Sequence, residues 1–202
     1  MKKSERTKKR ILENAMSIFS KKGYDGTTTK EIAEASDVSE GTVFKYYVSK
    51  KNLMISGILK FLSNFGYKLF IKSLEEILEK SDDLSFNEIL KKIIMNRKKL
   101  ADDYSHYLIV LLTEYKNHSE IQELFKNEFE EDVKAIFDKL INIGIKKNVI
   151  TDQTNSYIFI RNMLGSFIML LSNHYYLNQW SSGLTFEEEV DIVIEQLING
   201  LK

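Results

Sequence analysis

An all-α fold in two parts is what this sequence predicts: an N-terminal three-helix helix-turn-helix unit, then a larger helical part. Three observations point there. None of the 202 residues is proline and only 9 are glycine, so little in the chain breaks a helix. Apolar residues recur at intervals of three and four nearly throughout, and no strand-like alternation competes. Hydroxyl and acidic residues stand repeatedly just ahead of these periodic runs, where they cap helix N-termini.

The elements follow in order. A first helix runs from about Ser4 to Lys22, with Ile11, Ala15, Ile18 and Phe19 on one apolar stripe and Gly23 as the stop. Thr28, with Glu31 three residues on, spells a capping box for a short helix whose inner side is Ile32, Ala33 and Ala35. Ser36-Asp37 breaks it, and aspartate is among the few residues besides glycine that accept a left-handed backbone. Ser39 then caps a helix of about two turns to Tyr47. In it Val43 and Tyr47 stack at i, i+4 and face inward, leaving Thr42, Lys45 and Tyr46 outward and Phe44 at an edge. Ser49 is a third cap and opens a long helix through Leu53, Ile58 and Phe61 toward Lys80.

Beyond Ser81-Asp82-Asp83 the pattern predicts helices over 85–101, 104–117, 120–147, 153–179 and 186–201. Ser119, Thr151 or Asp152, and Thr185 with Glu188 serve as their start signals. The last two helices are apolar on more than one side, and such a helix needs more than one partner. They are therefore the expected homodimer interface, forming a four-helix bundle with the same pair from a second copy. A central place in a monomeric core is the other reading.

With 43% hydrophobic residues the chain can bury a real core. The lack of cysteine excludes a disulfide framework and a thiolate metal site, and His106, His118 and His174 have no ligand spacing. No apolar run follows the N-terminal charges. The most apolar window, Ile158 to Leu171, is interrupted by Arg161 and Asn162 and falls short of the span of about 20 residues a membrane helix needs. The expectation is a cytoplasmic protein with no cofactor and no metal. Nor is an enzyme expected, because no spacing suggests a nucleophile beside a base, a carboxylate pair or a phosphate-binding glycine loop.

The formal net charge is zero, yet residues 1–55 hold 12 Lys+Arg against 7 Asp+Glu, leaving 17 against 22 for the rest. A head of +5 on a body of −5 suggests a local surface for a polyanion. A helix-turn-helix in that head matches the dimensions of a DNA major groove. Gly41 lets its second helix come close to a backbone, and lysines at the start of the next helix, Lys50 and Lys51, suit phosphates. Thr42, Phe44 and Lys45 are the candidates for base edges. Glu40 favours the helix N-terminus as a capping charge; accepting a hydrogen bond from a cytosine amino group is its alternative role.

The run "RILENAMSIFSKKGYDGTTTKEIAEASDVSEGTVFKYYVSKKNL" is similar to the N-terminal DNA-binding domain of the TetR family of bacterial transcriptional repressors. The first helix ending in phenylalanine and "GY", the threonine-led "IA", the "VS-GT" turn, the tyrosine-rich helix and "SK--L" all agree. The run departs at Asp37, where glycine is usual, and at Lys51, where an acid is common. The resemblance implies a DNA-binding domain over about 1–60, with the helix-turn-helix over 28–47. Its DNA contacts would be Thr28, Thr29, Ser39, Gly41, Thr42, Lys45, Tyr46 and Lys50, with Phe44 close to the bases. It also implies a helical ligand-binding and dimerisation domain over 61–202. The expected protein is a homodimeric repressor that binds a palindromic operator and is released by a small-molecule effector. A coactivator or protein-interaction module of the same fold, without operator binding, is the alternative. For the effector, an apolar pocket lined by aromatic and methionine residues is expected, with Phe61, Phe65, Tyr107, Tyr115, Phe129, Phe159, Met163 and Phe167 as candidates.

Overall fold

A computed structural model describes residues 3–151, 155–177 and 182–200. In order these form α1 (Lys3–Lys22), α2 (Thr29–Ala35), α3 (Glu40–Tyr46) and α4 (Lys50–Phe61), then a π-helical segment (Leu62–Lys72) leading into α5 (Ser73–Glu79). After them come α6 (Phe86–Glu114), a 3-10 turn (Tyr115–Asn117), α7 (Ser119–Lys146), α8 (Ser156–Ser172), a second π-helical segment (Asn173–Leu177) and α9 (Phe186–Asn199). Among the described residues no strand forms and no helix is long and apolar enough to cross a membrane. The all-α expectation holds.

Two compact units share the chain, each returning to the other's stretch once. The first comprises residues 1–67 and 103–130, the second 68–102 and 131–202. In the first, α1 packs on α2 and α4, and α2 on α3. Its core is Ile11, Leu12, Met16, Phe19, Ile32, Val43, Leu53, Met54 and Ile58, all nearly without exposure. Each such side chain contributes on the order of 1.5–3 kcal/mol through burial. Gly57 sets the approach of α4 to α1: a Cβ there would lie 2.5 Å from Met16 Sδ. Gly23 ends α1 as expected, at φ 74, its amide donating to the Phe19 carbonyl at 2.9 Å.

The second unit buries Ile71, Leu78, Phe86, Ile89, Leu90, Ile94, Leu140, Phe159, Met163 and Val190. The Phe86 and Phe159 rings lie 6.4 Å apart, and α8 packs on α9. Arg97 is largely buried without an anionic side chain among its hydrogen-bond partners. It donates to the Leu69 carbonyl at 2.9 Å, the Phe70 carbonyl at 3.3 Å and Ser73 Oγ at 2.7 Å. Burial pulls its pKa down to about 10.

Several predicted boundaries moved, for physical reasons. The long helix from Ser49 toward Lys80 is not uniformly α-helical: residues 62–72 are π-helical, a geometry that leaves carbonyls off the usual ladder, and Arg97 takes two of them. The helices predicted over 85–101 and 104–117 meet inside α6 at a kink: Tyr104 has non-helical angles (φ −134, ψ 21) at the place where the break between them was expected. Asn155 caps α8, its side-chain oxygen accepting from the Ile158 amide at 3.1 Å; of the two start signals expected there, Thr151 precedes the helix and Asp152 lies outside the described residues. Residues 153, 154, 178, 179 and 201, which the two last predicted helices include, lie outside the described residues. Ala35 is exposed rather than inward: Ile32 and Ala33 take the buried face of α2, and the next residue turned inward is Ser36.

Candidate nucleic-acid interface

The helix-turn-helix is assembled by its caps. Thr28 and Glu31 form the full capping box at the head of α2, the Thr28 amide donating to Glu31 at 3.0 Å and the Glu31 amide to Thr28 Oγ1 at 3.2 Å. Glu31 also receives the Lys22 ammonium. That contact first, and then the Thr28 bonds, hold its carboxyl down at about 2. The turn passes through Asp37 at φ 49, the left-handed conformation that the sequence called for, and the Val38 amide closes it onto the Ala33 carbonyl at 3.1 Å. Ser39 then caps α3, accepting from the Thr42 amide at 3.2 Å.

Two ties fix this motif to α1. Asn14 Nδ2 donates to the Ala35 carbonyl at 2.9 Å and to the buried Ser36 Oγ at 3.2 Å. The Tyr47 hydroxyl donates to the Lys8 carbonyl at 3.2 Å, and its burial pushes its pKa up to about 12. Val43 and Tyr47 are 1% and 4% exposed, so the face opposite them points to solvent.

The residues singled out for DNA contact separate into two groups. Gly41, Phe44 and Lys45 are exposed, with Phe44 at 45% and open space around Gly41, whose Cβ would meet only Ser39 Oγ at 4.0 Å. The others also serve the fold. Thr28 is in the capping box, and the Thr29 hydroxyl donates to Glu40, tying the head of α2 to that of α3. Ser39 and Thr42 share a hydroxyl hydrogen bond of 2.9 Å, as do Tyr46 and Ser4 at 3.1 Å. Lys50 is the most committed. Its ammonium donates to the Tyr24 carbonyl at 2.7 Å and the Thr27 carbonyl at 2.9 Å and lies 4.3 Å from the Tyr24 ring centre.

Sequence reasoning passed over Val48, which is 85% exposed on the chain leaving α3. Its signal was available: a valine between the inward Tyr47 and the Ser49 cap has no core position to fill. Lys51, named as a backbone-side lysine, forms an ion pair with Glu120 at 3.4 Å.

The candidate effector residues divide between the units. Phe61, Phe65 and Tyr107 line one cavity of about 660 Å³ in the first unit. Phe129, on α7, is buried outside that lining, its ring against Gly66 and 5.5 Å from Phe125, while Tyr115 is 39% exposed and meets Phe125 edge-on at 6.0 Å. Phe159, Met163 and Phe167 are 3%, 2% and 5% exposed in the second unit. Among the described residues no group of histidines and acids is placed to hold a metal ion.

Comparison with known proteins bears on this geometry. Residues 11–56 match the family model described as bacterial regulatory proteins, tetR family. The HTH-type transcriptional regulator YvkB of Bacillus subtilis is 28% identical over 167 residues, 80% of this chain and 82% of that protein. YerO, of the same organism and description, is 30% identical over 120 residues, 58% of this chain and 40% of that one. Among solved structures, AibR in complex with isovaleryl coenzyme A and operator DNA superposes with a TM-score of 0.69 at 18% identity, covering 95% of this chain and 98% of that one. FadR of Bacillus subtilis in complex with stearoyl-CoA gives 0.64 at 19% identity, covering 96% and 98%. At these identities the structural likeness is one of fold.

Proposed function

Because the chain belongs to the TetR family of bacterial regulatory proteins, we propose that it works as a cytoplasmic homodimeric repressor that binds a palindromic operator and is released by a small-molecule effector. The observation that carries this reading is the capped α2–turn–α3 motif with Gly41, Phe44, Lys45 and Val48 all exposed. Lysines of the +5 head contact phosphates and set the docking register. Phe44 and Val48 offer apolar contacts of the kind that thymine methyl groups accept, and Lys45 reaches a guanine edge or a phosphate. Thr28, Thr29, Ser39, Thr42 and Tyr46 keep hydroxyl oxygens at the rim of the same motif. Lys50 acts in this reading by shaping the loop ahead of α2.

Dimerisation follows from α8 and α9. Tyr157, Leu164 and Ile168 are 76%, 38% and 52% exposed at i, i+7 and i+11, one stripe of α8, and Ile192 on α9 is 43% exposed. A Cβ on Gly165 would meet nothing within 4 Å, which leaves room for a second helix. Two copies joined through this face set the spacing of their recognition helices, and an effector acts by changing that spacing. Domains over 1–60 and 61–202 would divide the labour between operator and effector. The coenzyme A thioesters in AibR and FadR support a small molecule as the effector class.

The test is selection of binding sites from a genomic fragment library by the purified protein. Recovery of a palindrome, with affinity falling by a slope of about 0.9 in log salt for each phosphate contact, supports the reading. Weak binding with no sequence preference points to the interaction-module alternative.

A further inference from the structure

We propose that the cleft in the first unit lined by α1, α4, the start of the π-helical segment and residues 103–107 of α6 is a binding site for a neutral, planar aromatic molecule. Its volume of about 660 Å³ lies in the range of about 300–1,000 Å³ common for small-molecule sites. Its floor is aromatic. Phe61 and Tyr107 stack at 4.8 Å with 8° between their planes, and Tyr104 stands 5.4 Å from Phe61 and 5.9 Å from Phe65. Phe61 is buried behind this floor, and the half-buried Tyr104 and Tyr107 with the exposed Phe65 are the rings left for a further ring to stack on. Phe65 is 43% exposed, so the floor is open from one side. Tyr104 is also the residue at which α6 leaves helical geometry.

The charges select an uncharged ligand. At the mouth stand Lys9, Glu13, Lys60 and Asp103, two of each sign, and Lys9 and Glu13 already pair at 3.5 Å. Burial lowers the pKa of His106, the remaining titratable group besides the tyrosines, so the imidazole is neutral near pH 7. Lys60 and Asp103 remain, one of each sign and both exposed at the rim, so an ammonium or carboxylate that goes in among the rings loses water and meets only a solvent-screened counter-charge. A hydroxyl or amide on a flat ring loses less and finds the tyrosine hydroxyls as partners.

The consequence for regulation rests on the repressor reading above. Asn14 lines the cleft while its amide nitrogen holds Ala35 and Ser36, and Lys8 on the same helix holds Tyr47. A molecule wedged against α1 therefore moves both helices of the motif together. The effector would then act where α1 and α4 meet Phe61, Phe65 and Tyr107 of the effector-binding part, rather than among Phe159, Met163 and Phe167.

Fluorescence titration of the full chain with 2-naphthol, 2-naphthoate and 2-naphthylmethylammonium tests the site without DNA. The expected result is saturable 2-naphthol binding, at least about tenfold tighter than either ion. Asn64→Trp, which fills the cleft from its exposed rim, abolishes it, and Phe65→Ala weakens it by a similar factor. A charged analogue binding as tightly, or unimpaired binding by both variants when each melts with the wild type, overturns the site. Operator binding is then read separately: saturating 2-naphthol should weaken it in the wild type and leave Asn64→Trp unaffected. Ligand binding with unchanged operator affinity overturns the coupling and leaves the site intact. A failure of operator binding itself falls on the repressor reading and not on the titration.

Discussion

Lys50 offers the sharpest test of how the head is built, because the DNA contact expected of it and the backbone contacts it makes in the structure predict different effects of its loss. The Lys50→Met variant keeps the aliphatic stem and removes the ammonium. In the structure that ammonium donates to two backbone carbonyls, at 2.7 and 2.9 Å, and sits 4.3 Å from the Tyr24 ring centre. A hydrogen bond to a charged group is worth about 1.5–3 kcal/mol and a cation–π contact about 0.5–2 kcal/mol. One ammonium making all three does not earn their sum, so a loss of about 2–4 kcal/mol is expected. For a chain of this length about 3 kcal/mol corresponds to a fall of about 6–12 °C in melting temperature. Thermal unfolding reads the stability and a salt titration of operator binding reads the phosphate contacts. If Lys50 served the DNA backbone instead, stability would change by less than about 0.5 kcal/mol and the salt slope would drop by about 0.9. That pair of results would refute the clamp.

Three further outcomes are expected. Ile168→Asp, at a position 52% exposed on α8, should leave a folded monomer in sedimentation, because the dimer would have to bury an unpaired carboxylate; a dimer of unchanged affinity would remove α8 from the interface. Asp37→Gly should raise the unfolding free energy from urea titration by up to about 1 kcal/mol, since the residue sits at φ 49 and glycine removes the left-handed penalty; a lower value would mean that the aspartate side chain stabilises the turn. Glu31 has a folded pKa of about 2 against an ordinary 4.5, so its contribution is complete above pH 4.5 and is lost as the pH falls toward 2. The acid limb of the stability profile should therefore flatten in Glu31→Gln, and an unchanged limb would show that the capping box is not what titrates there.

Much of the head was legible because its information is local. A threonine three residues before a glutamate, a serine ahead of each apolar run and an aspartate at the break are short-range signals, and the structure has Thr28, Asp37, Ser39 and Ser49 doing what they announce. Helix periodicity likewise carried Val43 and Tyr47 to the core. What escaped was set by contacts distant in sequence. Nothing around Lys50 reveals that the carbonyls of Tyr24 and Thr27 converge on it, and nothing around residues 62–72 reveals that Arg97 will draw two of their carbonyls off the α ladder. The aromatic residues illustrate the same limit. Phe61 and Tyr107 stand as candidates beside Phe159 and Phe167 because composition alone does not say which rings share a cleft, and Tyr104, which lines the cleft with them, is not among the candidates.

The central claim is that two exposed α3 faces, held by one dimer, read two half-sites of a duplex. The measurement that tests it most directly is equilibrium binding to the selected operator and to a variant with five base pairs inserted between its halves. Half-sites separated by about 10–10.5 base pairs or a multiple lie on one face of the helix, and five more turn them to opposite faces. Binding should then fall by at least about a hundredfold toward the non-specific level. Equal affinity for both duplexes would contradict the account.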